Sequence, residues 1–156
     1  MEEEAQVVVF ELDGLRYALY LDAVDKIVRA AEVTPLPHAP DIVLGILNYH
    51  GQVLPVFNIR KRFGLPEREV NPSDHFIIAR TSSRNVVLVV DASCGVMNIR
   101  KRQAVEAAKV LPGIKYVDGF VKLEDGMVFI HDLEHFLSPS EEEALQSAIQ
   151  LHGDRQ

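Results

Sequence analysis

The chain has 156 residues, of which 47% are hydrophobic and 25% are charged, and its 16 Lys and Arg against 23 Asp and Glu give a net charge of −7. This length predicts a single domain, and the apolar fraction is large enough for a globular core. The negative charge argues against a surface made to bind nucleic acid or anionic lipid, so we expect neither as a partner.

The first residues and the hydropathy of the sequence predict its location. The sequence begins Met-Glu-Glu-Glu, whereas a signal peptide begins with basic residues. No apolar run approaches the ~18 residues of a membrane span, and Cys94 is the only cysteine, which excludes an internal disulfide. We therefore expect a cytoplasmic protein with no direct membrane insertion.

Four pairs of apolar segments, each joined by a short polar link, predict four β-hairpins. Asp13-Gly14 is the two-residue turn of the first pair, and Gly51 in the link of the second can adopt a positive φ. Helical signals are few, with short turns predicted at residues 59–63 and 133–137, so the predicted fold class is mainly β. The paired segments are residues 7–10 and 17–21, 42–47 and 53–57, 76–79 and 86–90, and 119–123 and 127–130.

A C-terminal helix is predicted over residues 141–151. Ser140 suits the N-cap because Glu143 follows three residues later, and Gly153 marks the end. The apolar stripe at helical spacing predicts that this helix packs on the rest of the domain; it comprises Leu145, Ala148 and Ile149.

The two halves of the sequence share an ordered pattern. Leu21-Asp22-Ala23 resembles Val90-Asp91-Ala92, and Gly45 and Gly51 match Gly119 and Gly126. This order predicts a duplicated unit of about 70 residues that closes into a small barrel, because closure removes exposed strand edges. The predicted lobes are residues 6–64 and 74–137, connected by residues 65–74.

The segment His131-Asp132-Leu133-Glu134-His135 is the strongest candidate for enzyme chemistry. Two histidines four residues apart on a helix can share a metal. Here Asp132 stands where metalloproteases have their glutamate base, and no third ligand is evident. A strand-to-helix corner capped by Asp132 is favoured. We predict no catalytic residue, no metal and no cofactor; a metal-dependent hydrolase using His131 and His135 is the alternative, and a small-ligand sensor with a cleft between the barrels is a further one.

Cys94 and two basic clusters carry weaker signals. A nucleophilic cysteine needs a base and oxyanion donors, none of which can be identified, so Cys94 is predicted to be a small buried side chain. The clusters Arg60-Lys61-Arg62 and Arg100-Lys101-Arg102 are interpreted as solvated turns or as sites for an acidic protein partner.

An ordered series of segments between Gln6 and Leu137 resembles a known family. The series comprises Phe10 and residues 17–19, 24–27, 35–40, 45–56, 89–91 and 119–133. In this combination the sequence resembles the CheW family, adaptors that couple chemoreceptors to the histidine kinase CheA. The resemblance implies a single CheW-like domain over residues 1–156, with two small five-stranded, Src-homology-like β-barrels side by side, short helices and the C-terminal helix.

The resemblance also implies a non-enzymatic scaffold in chemotaxis-like signal transduction. One surface meets the cytoplasmic tip of a methyl-accepting chemoreceptor, and other surfaces meet the regulatory domain of a CheA-type kinase. Carried over position by position, the receptor-facing residues are Val24, Lys26, Ile27, Asn48, His50 and Gly51.

Three positions depart from the pattern of the family. Lys26 stands where Glu is usual, His50 where Arg is usual, and Asn58 where Asp is common. Lys26 and His50 cannot form the ion pair that the usual residues can form, so this surface is predicted to prefer a partner with an extra carboxylate. The alternative is that both side chains point into water, where such a pair contributes only ~0–1 kcal/mol.

Overall fold

The computed structural model describes residues 4–100, 104–106, 117–123 and 126–154. Strands dominate these ranges, which confirms the predicted mainly β class. The strands are β1 (Glu4–Leu12), β2 (Leu15–Tyr20), β3 (Val24–Arg29), β4 (Val43–Tyr49), β5 (Gln52–Phe57), β6 (His75–Arg80), β7 (Asn85–Val90), β8 (Ala92–Arg100), β9 (Ala104–Glu106), β10 (Val117–Leu123) and β11 (Gly126–His131). The helices are α1 (Ile59–Arg62), α2 (Pro139–Asp154) and a 3-10 turn (Leu21–Ala23).

Two sheets organise these strands. The six-stranded sheet has the order β8-β1-β2-β11-β10-β9, and the five-stranded sheet has the order β3-β6-β7-β5-β4. Each sheet contains one parallel pair, β2 with β11 and β5 with β7, and the other pairs are antiparallel. All four predicted hairpins are present.

The sheets divide the chain differently from the predicted lobes 6–64 and 74–137. Strands β1 and β2 pair with the C-terminal strands, whereas β6 and β7 join β3, β4 and β5. The chain therefore crosses between the sheets at residues 21–23 and at Asp91, and residues 65–74 connect α1 to β6 on the side of the five-stranded sheet. The pairing of hairpins with one another joins strands that are far apart in the sequence, so local hairpin signals do not predict it. A common origin of the two halves stays a prediction.

A close approach of the chain to β4 closes the five-stranded sheet. Thr34 forms a β-bridge with Ile46, with N–H to oxygen distances of 2.9 and 2.8 Å. Gly45 makes this possible, because a Cβ atom there would lie 2.2 Å from the carbonyl oxygen of Thr34. The continuation of β3 is thus held against β4, and the β4–β5 hairpin lies next to β3.

Three apolar clusters form the interior. One lies within the six-stranded sheet around Val7, Val121 and Ile130, and another within the five-stranded sheet around Val56 and Phe76. The largest cluster joins the two sheets to α2 and includes Phe10, Leu19, Phe57, Ile77, Leu88, Phe136, Leu145 and Ala148. The predicted packing of the C-terminal helix is therefore confirmed.

Helix α2 begins earlier than the sequence predicted. Ser138 and Glu141 form a reciprocal capping box, in which the Glu141 N–H donates to Ser138 Oγ (3.2 Å) and the Ser138 N–H donates to Glu141 Oε1 (2.8 Å). Pro139 then occupies the first helical position, where its fixed φ is favourable. The predicted cap at Ser140 is therefore wrong by two residues, and the predicted helical turn at 133–137 is a non-helical turn.

A partly buried ion network ties the two sheets together at the second crossing. Arg60 Nη2 donates to both carboxylate oxygens of Asp91 at 2.7 Å, and Arg68 Nη2 donates to the same carboxylate at 2.6 Å. The Asp13 N–H donates to Asp91 Oδ2 at 2.8 Å, and Arg68 also forms a two-pronged pair with buried Asp74. The network connects the β1–β2 turn, α1 and the segment before β6.

The arginines of the first basic cluster, Arg60-Lys61-Arg62, form ion pairs within the protein. Arg60 is 9% exposed, and Arg62 pairs with Glu141 at 2.6 Å on α2. Only Lys61 of this cluster is exposed. Its arginines therefore hold the fold together, and the interpretation as a solvated turn is wrong for them; in the second cluster, Lys101 and Arg102 lie outside the described residues.

Candidate functional site

The receptor-facing residues predicted on β3 lie at the edge of the five-stranded sheet. Lys26 and Ile27 are exposed, with Ile27 at 38% of its full area. A β-bulge at Asp25 separates Val24, which pairs with Ala79, from Lys26, which pairs with Ile78. Val24 is only partly exposed and packs on the central core, so it supports the surface from beneath.

The other predicted receptor-facing residues, Asn48, His50 and Gly51, belong to the β4–β5 hairpin. Tyr49 pairs with Gln52, so His50 and Gly51 form a two-residue turn, and their φ values are 50° and 84°. Two positive φ angles define a type I′ turn, which matches the twist of the strands and favours glycine at the second position. The turn holds the His50 and Gly51 backbone at the surface, beside exposed Asn48.

Tyr49 joins the two sides of this surface. Lys26 Nζ lies 5.7 Å from the centre of the Tyr49 ring, and the His50 ring contacts Tyr49 edge-on with centres 4.3 Å apart. Sequence reasoning missed Tyr49, although its place beside His50 on an alternating strand was a usable signal. We define the β3–hairpin surface as Lys26, Ile27, Asn48, Tyr49, His50 and Gly51.

The charge of the β3–hairpin surface is not neutralised internally. In the part of the chain that the structure describes, no carboxylate lies within ion-pair distance of Lys26 Nζ. Arginines elsewhere behave differently, since Arg60, Arg62, Arg68 and Arg84 each hold an aspartate or glutamate. The Lys26 ammonium is therefore available to a partner.

The two histidines of the candidate metal segment do not face each other. His131 ends β11 and is 4% exposed, whereas the side chain of His135 is 82% exposed. Asp132 accepts the backbone N–H of His135 at 3.3 Å and contacts its Nδ1 at 2.8 Å, as expected for a capped corner. Within the described ranges, no three His, Cys, Asp or Glu side chains are grouped as a metal site requires.

His131 is a core side chain. Its ring contacts Phe63 and Phe136 edge-on, with centres 5.0 and 5.8 Å apart, and among the residues that the structure describes neither ring nitrogen has a hydrogen-bond partner. Burial lowers the pKa of His131 to about 3, because the charged form would lose its hydration. The side chain is thus neutral at physiological pH and contributes packing.

The exposure of Cys94 differs from the prediction. It is exposed on β8, at a bulge in the pairing with β1, where the expectation was a buried side chain. Partial desolvation and the nearby Glu11 carboxylate raise the pKa of the thiol, which disfavours the nucleophilic thiolate.

The sensor alternative requires a cleft between the sheets. A groove of about 730 Å³ instead lies at one end of the six-stranded sheet and is lined by residues of β1, β2, β8 and the 3-10 turn. It is open and partly acidic, with Glu4 and Asp22 on its wall.

In the described part of the chain, neither helix is long and apolar enough to cross a membrane.

Known proteins are similar to this chain in sequence and in fold. Residues 6–141 match the family model of the CheW-like domain. The chemotaxis protein CheW of Treponema pallidum is 27% identical over 146 residues, covering 90% of this chain and 86% of that protein, and CheW of Bacillus subtilis is 27% identical over 149 residues, covering 92% of each. The crystal structure of the scaffolding protein TtCheW from Thermoanaerobacter tengcongensis superposes with a TM-score of 0.79 at 27% identity, covering 90% of this chain and 96% of that one.

These matches cover most of the chain and agree with its two-sheet architecture. The hydrolase and sensor alternatives find no support in them. The chain belongs to the CheW family, the non-enzymatic scaffolds that link chemoreceptors to the kinase CheA in chemotaxis.

Proposed function

We propose that the β3–hairpin surface of this adaptor binds the cytoplasmic tip of a methyl-accepting chemoreceptor, while another face binds the regulatory domain of a CheA-type kinase. The observation that carries the receptor assignment is the contact of Lys26 with Tyr49, because it joins the edge strand and the hairpin turn into one surface. Such partners place the protein in the cytoplasm.

The make-up of the surface fits a modest, reversible interface. Ile27 is 38% exposed and offers apolar contact area, as does the equally exposed Val53 beside this surface, which pairs with Asn48. Lys26, Asn48 and His50 supply the polar groups. Signalling contacts of this kind bury about 1,200 Å² or less in total. We expect micromolar pairwise affinity, with stability of the assembled array coming from several simultaneous contacts.

The receptor assignment is tested by placing a charge at Ile27. The variant Ile27→Glu puts an unpaired carboxylate into the interface, so we expect tip binding to weaken by about tenfold or more. Isothermal titration of the full chain with a receptor tip fragment measures this. Leu151→Glu, at an exposed apolar position on α2, is the matched control and is expected to bind as the unmodified chain does. Equal affinities for both variants and the unmodified chain would contradict the assignment.

The kinase assignment is tested separately. Titration with the regulatory domain of the CheA-type kinase from the same organism is expected to show micromolar binding that Ile27→Glu leaves within about twofold. An absence of binding at high micromolar concentration would remove the kinase from the proposal without affecting the receptor assignment.

A further inference from the structure

We propose that Lys26, Tyr49 and His50 form a carboxylate-binding site, with Tyr49 as the positioning residue. This inference rests on the proposed function, because it names the chemistry by which the β3–hairpin surface recognises its partner. The expected ligand is an Asp or Glu side chain exposed on a helical receptor tip.

The first step of the argument is the unused charge of Lys26. The protein has a net charge of −7 and uses buried or half-buried arginines to hold its own carboxylates. Lys26 is exposed and has no such partner among the described residues. An ammonium group in this position attracts an incoming carboxylate, although the protein as a whole is acidic.

The second step is the order that Tyr49 imposes. A flexible lysine loses rotamer entropy when it binds a partner, which weakens the contact. The Tyr49 ring holds the ammonium at 5.7 Å by a cation–π interaction, and it holds the His50 ring at 4.3 Å. Lys26 Nζ therefore lies no more than about 10 Å from the centre of the His50 ring, and one carboxylate-bearing turn of a partner helix can meet both groups.

The third step is the rigidity of the support. Tyr49 is partly buried against the core of the five-stranded sheet, and His50 lies in a type I′ turn. Lys26 lies directly after the bulge at Asp25 and pairs with buried Ile78. Both sides of the site are thus held by the closed sheet, so the donors are arranged before the partner arrives.

Charge variants of the full chain, titrated with the receptor tip fragment, test the inference. Lys26→Met keeps the aliphatic stem and is expected to bind about three- to tenfold more weakly, and Lys26→Glu more weakly still. Lys122→Met, at an exposed lysine on β10 of the other sheet, is the control and is expected to change binding by less than twofold. The binding of the unmodified chain is also expected to weaken more steeply between 50 and 300 mM NaCl than that of Lys26→Met.

The role of Tyr49 has its own pair of variants. Tyr49→Phe keeps the ring and is expected to bind within twofold of the unmodified chain, whereas Tyr49→Leu is expected to bind about threefold more weakly and to lose part of the salt dependence. His50→Asn, which tolerates the positive φ, is expected to weaken binding by about twofold. Thermal melts of each variant check that the fold is retained.

Charge exchange identifies the carboxylate. One Glu→Lys or Asp→Lys change in the tip fragment is expected to restore binding to Lys26→Glu. If the tip binds and neither Lys26 variant changes its affinity or salt dependence, the inference is overturned and the receptor assignment stands. If Ile27→Glu also binds normally, the receptor assignment fails, and the inference fails with it.

Discussion

The five-stranded and the six-stranded sheet are built on one plan with different surfaces. The first five strands of the six-stranded sheet, in spatial order, match the strands of the five-stranded sheet one by one. The order β8-β1-β2-β11-β10 corresponds to the order β3-β6-β7-β5-β4. The short strand β9, which pairs with β10, then corresponds to the bridge of Thr34 to β4. Each half of the chain supplies its first hairpin to one sheet and its later strands to the other sheet.

Local irregularities repeat as well. The bulge at Asp25 on β3 matches the bulge at Cys94 on β8, and both lie directly after the crossings between the sheets. The bulge before Gly45 on β4 matches the bulge before Gly119 on β10. Bulges set where a strand bends, so the two sheets bend at matching positions.

The differences lie in single side chains. After the bulge, the five-stranded sheet has Lys26 and the six-stranded sheet has Gly95. At the end of the last hairpin, Phe57 of the first corresponds to His131 of the second. The pairing framework is therefore repeated, whereas the candidate binding chemistry occurs on one sheet, and a few exposed residues decide what each sheet can bind.

The largest expected effect concerns the two crossings. Asp91→Ala leaves buried Arg60 with Asp13, at 3.5 Å, as its remaining carboxylate partner among the described residues, so we expect the free energy of unfolding to fall by about 2–3 kcal/mol in urea denaturation. The counterpart Asp22→Ala is expected to cost less than about 0.5 kcal/mol, because Asp22 is exposed and the bond that it accepts from Arg80 goes to its backbone carbonyl, which the substitution keeps. Equal losses at the two positions would show that the crossings are energetically alike.

The pH dependence of this effect has a definite sign. Burial alone would raise the pKa of Asp91, but the hydrogen bonds from Arg60 and the Asp13 N–H hold it below its usual value. The stabilisation by Asp91 is thus present above about pH 4, near the pKa of an unfolded aspartate, and is lost as the pH falls through the lower folded pKa. The difference between Asp91→Ala and the unmodified chain is expected to shrink as the pH falls below about 4.

The closure of the five-stranded sheet is the next target. Gly45→Ala places a Cβ atom 2.2 Å from the Thr34 oxygen, so the bridge must open, and we expect a loss of at least about 2 kcal/mol. Gly51→Ala meets no neighbouring atom and strains only φ, at a cost of about 1 kcal/mol. Because opening the bridge also separates β3 from the hairpin, Gly45→Ala is expected to weaken tip binding more than Gly51→Ala does. The reverse order would contradict the role of closure.

The last stability effect is confined to acid pH. His131 has a folded pKa of about 3, well below that of an unfolded histidine, so the unfolded chain binds its proton first. The contribution of neutral His131 to the free energy of unfolding is therefore fully present above pH 6.5. It falls as the pH drops from 6.5 toward 3, by at most ~1.4 kcal/mol per pH unit. His131→Phe, which makes the position like Phe57, is expected to flatten the profile between pH 6.5 and 4.5. His135→Phe is the control, and an equal change in both variants would contradict the assignment.

The local features of the fold were predictable from sequence. Asp13-Gly14 and His50-Gly51 are adjacent residues whose types suit positive φ, and both form the two-residue turns that this implies. The C-terminal helix has an apolar stripe and was placed within a few residues. These signals act over a few residues, so nearby sequence contains them.

The long-range features were not predictable. The position of β3 beside β6 and of β8 beside β1 depends on pairings with Ile78 and Val9, which no local pattern specifies. Arg60 was interpreted as a solvated charge because its partner, Asp91, lies 31 residues away. Tyr49 was missed for the same reason, since its role arises only when Lys26 is brought over its ring.

Hydrogen exchange of the full chain with and without the receptor tip fragment tests the central claim most directly, because it compares the two sheets in one experiment. The account predicts protection on binding in β3 and in the β4–β5 hairpin, with β8 and the β10–β11 hairpin unchanged. Protection of β8 and the β10–β11 hairpin, with β3 and the β4–β5 hairpin unchanged, would contradict it.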